Sequence, residues 1–265
     1  MAYSLRVKNY LSDCNLIRKV CIAGEKMEYK RILAVGDIHG MYDKLLKLME
    51  QVQFNPEEDL LIFLGDYIDR GPQSLECLDY VMALNKQHPE RVIPLLGNHE
   101  AMCVNYYRYE GHSYGFMIDD LDRDMISVWL DNGGYDTFKQ FKKLKKPELQ
   151  KRLRWMRMLS NHYETEGYYF CHAGIQPFIP LNKQREKDLL WIREAFFELY
   201  DGRYGTVVAG HTPVQNLTQK HWQDGKPPTV PVYLDNRIIL CDTGSFLEGG
   251  KLSCVDVLTG KYWQT

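Results

Sequence analysis

The run Arg31-Ile32-Leu33-Ala34-Val35-Gly36-Asp37-Ile38-His39-Gly40 decides how this chain is read. Four apolar residues lead straight into Gly-Asp, which is how a fully buried strand ends in a turn. The pattern returns twice. Leu60 to Leu64 runs into Gly65-Asp66-Tyr67-Ile68-Asp69-Arg70-Gly71, and Val92 to Leu96 runs into Gly97-Asn98-His99-Glu100. Between the runs, Leu45, Leu46, Leu48, Met49 and Val52, and then Leu75, Leu78, Val81, Met82 and Leu84, recur at helical spacing. Strand, loop and helix in alternation predict βαβ units around a sheet buried on both faces.

Further along, the texture changes. From about residue 106 to 162 the apolar positions Val128, Trp129, Phe138, Phe141, Leu144, Leu149, Leu153, Trp155 and Leu159 predict two or three helices, broken at Asn132-Gly133-Gly134 and Pro147. With no strand pattern here, the stretch reads as a helical insertion over the carboxyl edge of the sheet, and its lysine run, Lys139 to Lys146, as a solvated helix face. Beyond it, Tyr168 to His172 and Thr206 to Ala209 read as strands and Leu189 to Leu199 as one helix. The tail is strand-rich at Val230 to Leu234, Ile238 to Cys241 and Leu252 to Val257. Asp235-Asn236-Arg237 and Glu248-Gly249-Gly250 read as hairpin turns. The expected organisation is a peripheral N-terminal segment, residues 1–29, followed by one α/β domain, residues 30–265.

Bulk properties narrow the function. A formal charge of −2 over 265 residues gives no basic surplus of the kind that marks nucleic-acid binding. No apolar run is long enough to span a bilayer, and the charged first thirty residues lack a signal peptide's apolar stretch, so a cytoplasmic location is expected. Seven scattered cysteines, odd in number and without a C-x-x-C pair, predict reduced, buried thiols.

The residues at the strand ends carry the chemistry. To the three segments above are added Cys171-His172-Ala173-Gly174 and Ala209-Gly210-His211-Thr212-Pro213. A single Gly-Asp is ordinarily a turn or a helix cap, and a single histidine an ordinary hydrogen-bonding residue. All five segments, however, fall at the carboxyl ends of predicted strands, where open α/β sheets bind ligands. Asp37, His39 and Asp66 offer carboxylate and imidazole ligands, Asn98 an amide oxygen, and His172 and His211 two further imidazoles. Such a set suits two divalent ions of hard or borderline character, the arrangement that phosphoester hydrolysis uses to activate water and to hold phosphoryl oxygens.

Gly-Asp-Ile-His-Gly, Gly-Asp-Tyr-Ile-Asp-Arg-Gly and Gly-Asn-His-Glu resemble the three signature blocks of the phosphoprotein phosphatases within the calcineurin-like metallophosphoesterases. The resemblance spans about Arg31 to Asp242. It implies a β-sandwich flanked by helices in four layers, and a centre of two divalent metal ions, with manganese expected and iron or zinc as alternatives. By resemblance, Asp37, His39 and Asp66 hold one ion, and Asp66, Asn98, His172 and His211 the other. His99 is the implied general acid, oriented by Asp69. Arg70 and Asn98 bind phosphate, with Arg193, in Trp191-Ile192-Arg193, as a second arginine clamp. Glu100 reads as structural rather than as a ligand.

The implied reaction is direct in-line attack on phosphorus by a metal-bridging hydroxide. The expected substrate is phosphoserine or phosphothreonine in a phosphoprotein or phosphopeptide, with small phosphoesters also accepted. One departure stands out: the family's protein phosphatases usually carry arginine two residues before the Asn of the third block, where this chain has Leu96. The Cys241-Asp242-Thr243-Gly244-Ser245 tail resembles bacterial members. Two alternatives share the fold. A dinucleoside polyphosphate or nucleotide hydrolase more often reads Gly-Asn-His-Asp and lacks Tyr-x-Asp-Arg, and a non-catalytic binding module would need ligand losses that are not seen.

Overall fold

The computed structural model describes residues 29–110, 128–165, 167–222 and 224–265. Nearly all of the expected N-terminal segment and the middle of the expected insertion, residues 111–127, lie outside that range. Three strands, β1 (Arg31–Val35), β2 (Asp59–Phe63) and β3 (Val92–Pro94), pair in parallel. Helices α1 (Tyr42–Val52) and α2 (Ser74–Gln87) connect them, so the βαβ reading of the first hundred residues is what forms. On the other side of β1, β9 (Ser253–Asp256) and then β10 (Tyr262–Gln264) add antiparallel, giving a sheet of order β10-β9-β1-β2-β3. A second sheet, β4-β5-β6-β8-β7, contains β4 (His162–Thr165), β5 (Tyr168–Cys171), β6 (Thr206–Ala209), β7 (Val232–Leu234) and β8 (Ile238–Leu240).

Alternation along the strands decides what each face covers. Ile32, Ala34, Leu60, Ile62 and Leu64 point toward Phe170, Val208 and Ile239 of the second sheet and form the sandwich interior. Leu33, Val35, Leu61 and Phe63 point outward, onto a core shared with α1, α2, α3 (Asn98–Glu110), α4 (Tyr135–Phe141) and α5 (Lys146–Arg157). The outer face of the second sheet, including Tyr169, Val207 and Leu240, packs on α6 (Glu186–Trp191) and α7 (Glu194–Leu199). The result is two mixed sheets between helices. Both faces of β1 and β2 are buried, which is why they read as continuous apolar runs.

Several sequence readings are corrected. The residues read as one helix, Leu189 to Leu199, form two, because Arg193 leaves helical backbone (φ −135°, ψ −108°) and turns its guanidinium to Thr212 Oγ1 at 2.9 Å. Glu248-Gly249-Gly250 does not close a hairpin, since β8 and β9 belong to different sheets. Asp235-Asn236-Arg237 does close one, β7 to β8, with Asp235 and Asn236 both left-handed. The sequence pattern carries no sign of β4, because His162-Tyr163-Glu164-Thr165 is half exposed and its side chains show no apolar alternation. The same holds for β10. Tyr106 belongs to α3, which starts at Asn98, so the helical stretch is continuous with a predicted ligand. No described helix is long and apolar enough to cross a membrane. The five described cysteines, Cys77, Cys103, Cys171, Cys241 and Cys254, are buried and unpaired.

Candidate metal centre

The turns after β1, β2, β5 and β6 and the first turn of α3 converge on one buried cluster. His39, Asp66, Asp69, Arg70 and His211 all have positive φ, from 48° to 73°, backbone that folds each turn sharply back beyond its strand. Left-handed backbone costs a residue with a Cβ roughly 1–3 kcal/mol and persists where surrounding contacts enforce it. Gly97 is required for a different reason: a Cβ there would lie 2.2 Å from Asp66 Oδ1.

Asp66 is the hub. Its Oδ2 lies 3.5 Å from His39 Nε2, 3.5 Å from His172 Nε2 and 3.9 Å from His99 Nε2, while Oδ1 accepts the His99 backbone N–H at 3.0 Å. Two donor groups share it, His39 with Asp66 and His99, and Asp66 with His172 and His211. Asn98 Oδ1 joins the second, 2.8 Å from His172 Nε2 and 3.1 Å from His211 Nδ1. Asp37 is buried beside them, outside both donor groups. Its Oδ2 is 4.0 Å from His39 Nε2, and both its oxygens accept the His211 backbone N–H at 3.0 Å.

The donor set fits divalent metal. His39 Nδ1 faces Ile68 O at 3.0 Å and His172 Nδ1 faces Leu64 O at 2.8 Å. A ring N–H donated to a carbonyl fixes the tautomer and leaves the Nε2 lone pair facing inward. His211 Nε2 is buried with no partner. Burial holds His39, His172 and His211 below the ordinary histidine range, which favours the neutral form that ligation requires. Burial opposes charge on Asp66, yet the imidazoles of His172, His99, His39 and His211 together hold its carboxyl below the usual range. Burial and the neighbouring Asp242 and Asp66 push Asp37 the other way.

Beside the cluster His99 is paired with Asp69. His99 Nδ1 donates to Asp69 Oδ2 at 2.7 Å. The same oxygen accepts the indole N–H of buried Trp129 at 2.8 Å, and the Asp69 backbone N–H is shared between Ser74 Oγ and Thr137 Oγ1, each at 3.0 Å. Two cations act on the site groups. Arg70 Nη1 donates to His39 Nε2 at 2.6 Å with its guanidinium over the Phe246 ring at 4.3 Å, and Arg193 donates to Thr212 beside His211. Nothing among the described contacts of Leu96 supplies a third cation; its N–H donates to Ser160 O at 2.8 Å.

The sequence matches the profile of the calcineurin-like phosphoesterases over residues 30–242. This chain belongs to that family. Its members depend on two metal ions, and the two donor groups around Asp66 are where this chain would hold them. Solved structures share the calcineurin-like fold. One is provisionally assigned as a diadenosine tetraphosphatase, with TM-score 0.58 and 21% identity over 89% of this chain and 92% of that one. A protein serine/threonine phosphatase from Saccharomyces cerevisiae matches with TM-score 0.56 and 16% identity, over 87% and 74%. A metallophosphoesterase from Sphaerobacter thermophilus matches with TM-score 0.51 and 18% identity, over 89% and 88%.

Every residue singled out from the sequence reaches this cluster or its rim. The structure adds Phe246 and Asp242, to which the sequence reading attached no role in the site, gives Trp129 of the insertion a contact with Asp69, and shows what Glu100, read as structural, holds. Glu100 accepts four backbone N–H groups, from Asp66 (2.9 Å), Tyr67 (2.8 Å), Ile68 (3.2 Å) and Gly97 (3.2 Å). Asp242 is buried, with Oδ2 unpartnered and its carboxyl pushed up to about 6 by burial. A signal for Asp242 existed, since it too is a carboxylate just past a strand end. Trp129 had none, because its indole reaches Asp69 across 60 residues.

Proposed function

We propose that this calcineurin-like phosphoesterase is a phosphomonoester hydrolase acting on phosphoserine or phosphothreonine in proteins. The observation that carries this reading is the Glu100 carboxylate binding the N–H groups of Tyr67 and Ile68. The two sequence marks that favour protein phosphatases, Glu in the third block and Tyr-x-Asp-Arg in the second, are thereby one physical unit. The third-block acid holds the loop that presents Asp69 and Arg70.

In this reading Asp37, His39 and Asp66 hold one divalent ion, and Asp66, Asn98, His172 and His211 the other. Bound there, two such ions lower the pKa of water and neutralise phosphoryl charge. The chain's own groups do the rest. Arg70 and Arg193 bind the phosphoryl oxygens from opposite ends of the cluster, where a planar guanidinium pairs with two oxygens at once. For Arg70 to do so, its contact with His39 Nε2 must break. His99 keeps Nδ1–H on Asp69 and carries on Nε2 the proton that the leaving oxygen takes up. Asp69 orients that ring and is itself held by Trp129, Ser74 and Thr137.

The test is a parallel assay, with manganese added, of a phosphoserine peptide and of diadenosine tetraphosphate. Cleavage of the peptide is expected; exclusive cleavage of the dinucleotide would overturn the substrate assignment while leaving the family chemistry intact. Asp66→Asn and His99→Asn should each reduce aryl phosphate hydrolysis by orders of magnitude with the circular dichroism spectrum unchanged. Turnover near wild type in either variant would sink the mechanism.

A further inference from the structure

The charge of this chain is unevenly placed. Residues 139–157 contain six lysines and three arginines against one acid, Glu148, in a chain whose net charge is −2. These residues occupy α4, α5 and the turn between them. Lys139, Lys142, Lys143, Lys145, Lys146, Lys151, Arg154 and Arg157 are all exposed. Within the stretch, Lys139 pairs with Asp136 and Arg152 with Asp79 on α2. Among the described residues the other cations have no ion pair, although Lys142 rests on the Phe138 ring at 4.4 Å. So many like charges side by side repel one another, a cost that an anionic partner removes.

This surface is tied to the reaction centre. Thr137, in the first turn of α4, accepts the Asp69 backbone N–H at 3.0 Å, and Gly133, just before the helix, accepts that of Arg70 at 3.1 Å. At 1.5 Å of rise per residue, Lys143 lies roughly 9 Å further along from Thr137. An extended peptide covers that distance in about three residues. A membrane is a poor fit, because the apolar side of α5, including Leu153 and Met156, is already used in the core. The continuous apolar face that a bilayer would need is thereby occupied.

We propose that the lysine-rich surface of α4 and α5 is a docking site for acidic residues lying about three to five positions from the phosphorylated side chain of a protein substrate. The inference rests on the phosphoprotein reading above and narrows it to substrates with acidic flanks. It also changes the reading of Lys139 to Lys146 from a solvated face to a recognition surface.

The experiment uses the full chain with manganese and two phosphoserine peptides, identical except that one carries four Asp or Glu at those positions and the other Gln. Exposed charge pairs are individually weak and screened by salt, so several acting together should give the acidic peptide about a tenfold lower KM at low ionic strength. That gap should close in 0.5 M salt. It should also close in the variant Lys142→Gln, Lys143→Gln, Lys145→Gln, Lys146→Gln and, independently, in Lys151→Gln with Arg154→Gln. Hydrolysis of an aryl phosphate, which is too small to reach the patch, should be unchanged in both. Equal KM for the two peptides in the wild type, or a gap that survives both variants, overturns the docking site alone. Cleavage of the aryl phosphate but of neither peptide overturns the phosphoprotein reading and the docking site with it. A patch that binds single-stranded RNA and gives no KM gap between the peptides refutes the acidic-peptide assignment in favour of nucleic acid.

Discussion

Replacing Glu100 with Gln should destabilise the protein and loosen its metal centre together. The Glu100 carboxylate is buried and acts only as an acceptor. Oε2 takes the N–H groups of Asp66 and Gly97, and Oε1 those of Tyr67 and Ile68. A glutamine amide has one acceptor end and one donor end. Whichever way it turns, two of the four backbone donors then face an –NH2 group. A buried donor left without an acceptor costs about 1–3 kcal/mol, so the substitution should cost about 2–6 kcal/mol. For a chain of this size each kcal/mol lowers Tm by about 2–4 °C, so the fall should be at least about 4 °C. The donors that lose their partner belong either to Asp66 and Gly97 or to Tyr67 and Ile68, so the loop from Asp66 to Arg70 loses its anchor in both cases. Calorimetric unfolding of the metal-free protein reads the stability, and titration with manganese reads the affinity. Glu100→Asp, too short to span both donor pairs, should fall between. A Tm within 1 °C of wild type with unchanged manganese affinity would refute the reasoning.

Three other outcomes are expected. Trp129→Phe removes the indole N–H from Asp69 while keeping a ring in the core; kcat should fall about 10–100-fold with KM unchanged, as loss of a hydrogen bond to a charged group worth about 1.5–3 kcal/mol predicts, and an unchanged kcat would remove Trp129 from the proton path. Gly133→Ala places a Cβ 2.8 Å from Arg70 Cγ at a φ of +97°, so KM for phosphosubstrates should rise more than kcat falls, and steady-state kinetics showing an unaltered KM would contradict the contact. Burial favours neutral His39, His172 and His211 but raises the carboxyls of Asp37 and Asp242, the latter to about 6, so calorimetric metal affinity should weaken as pH drops toward 6 and below, where protonation competes; an affinity unchanged from pH 8 to 5 would overturn this.

Strands β1 and β2 were legible because both of their faces are buried, which leaves an unbroken apolar run such as Ile32 to Val35. The half-exposed β4 was not legible, for the opposite reason. Arg193 illustrates a second limit. Helical spacing from Leu189 to Leu199 is correct for the side chains that touch the second sheet, yet the backbone breaks between them to deliver one guanidinium to Thr212. Periodicity reports burial and is blind to a polar contact that overrides it.

What the sequence by itself determined is the set of candidate site groups. Asp37, His39, Asp66, Asn98, His99, His172 and His211 each stand where an apolar run stops, and strand ends are local features written in consecutive residues. What only the tertiary structure decided is how those groups are held. Glu100 reaches back to a loop more than thirty residues earlier, and Trp129 and Thr137 close on Asp69 from across the insertion. Such contacts join residues far apart in the chain through hydrogen bonds of fixed length, and that geometry exists only once the two sheets and the helices above them have packed.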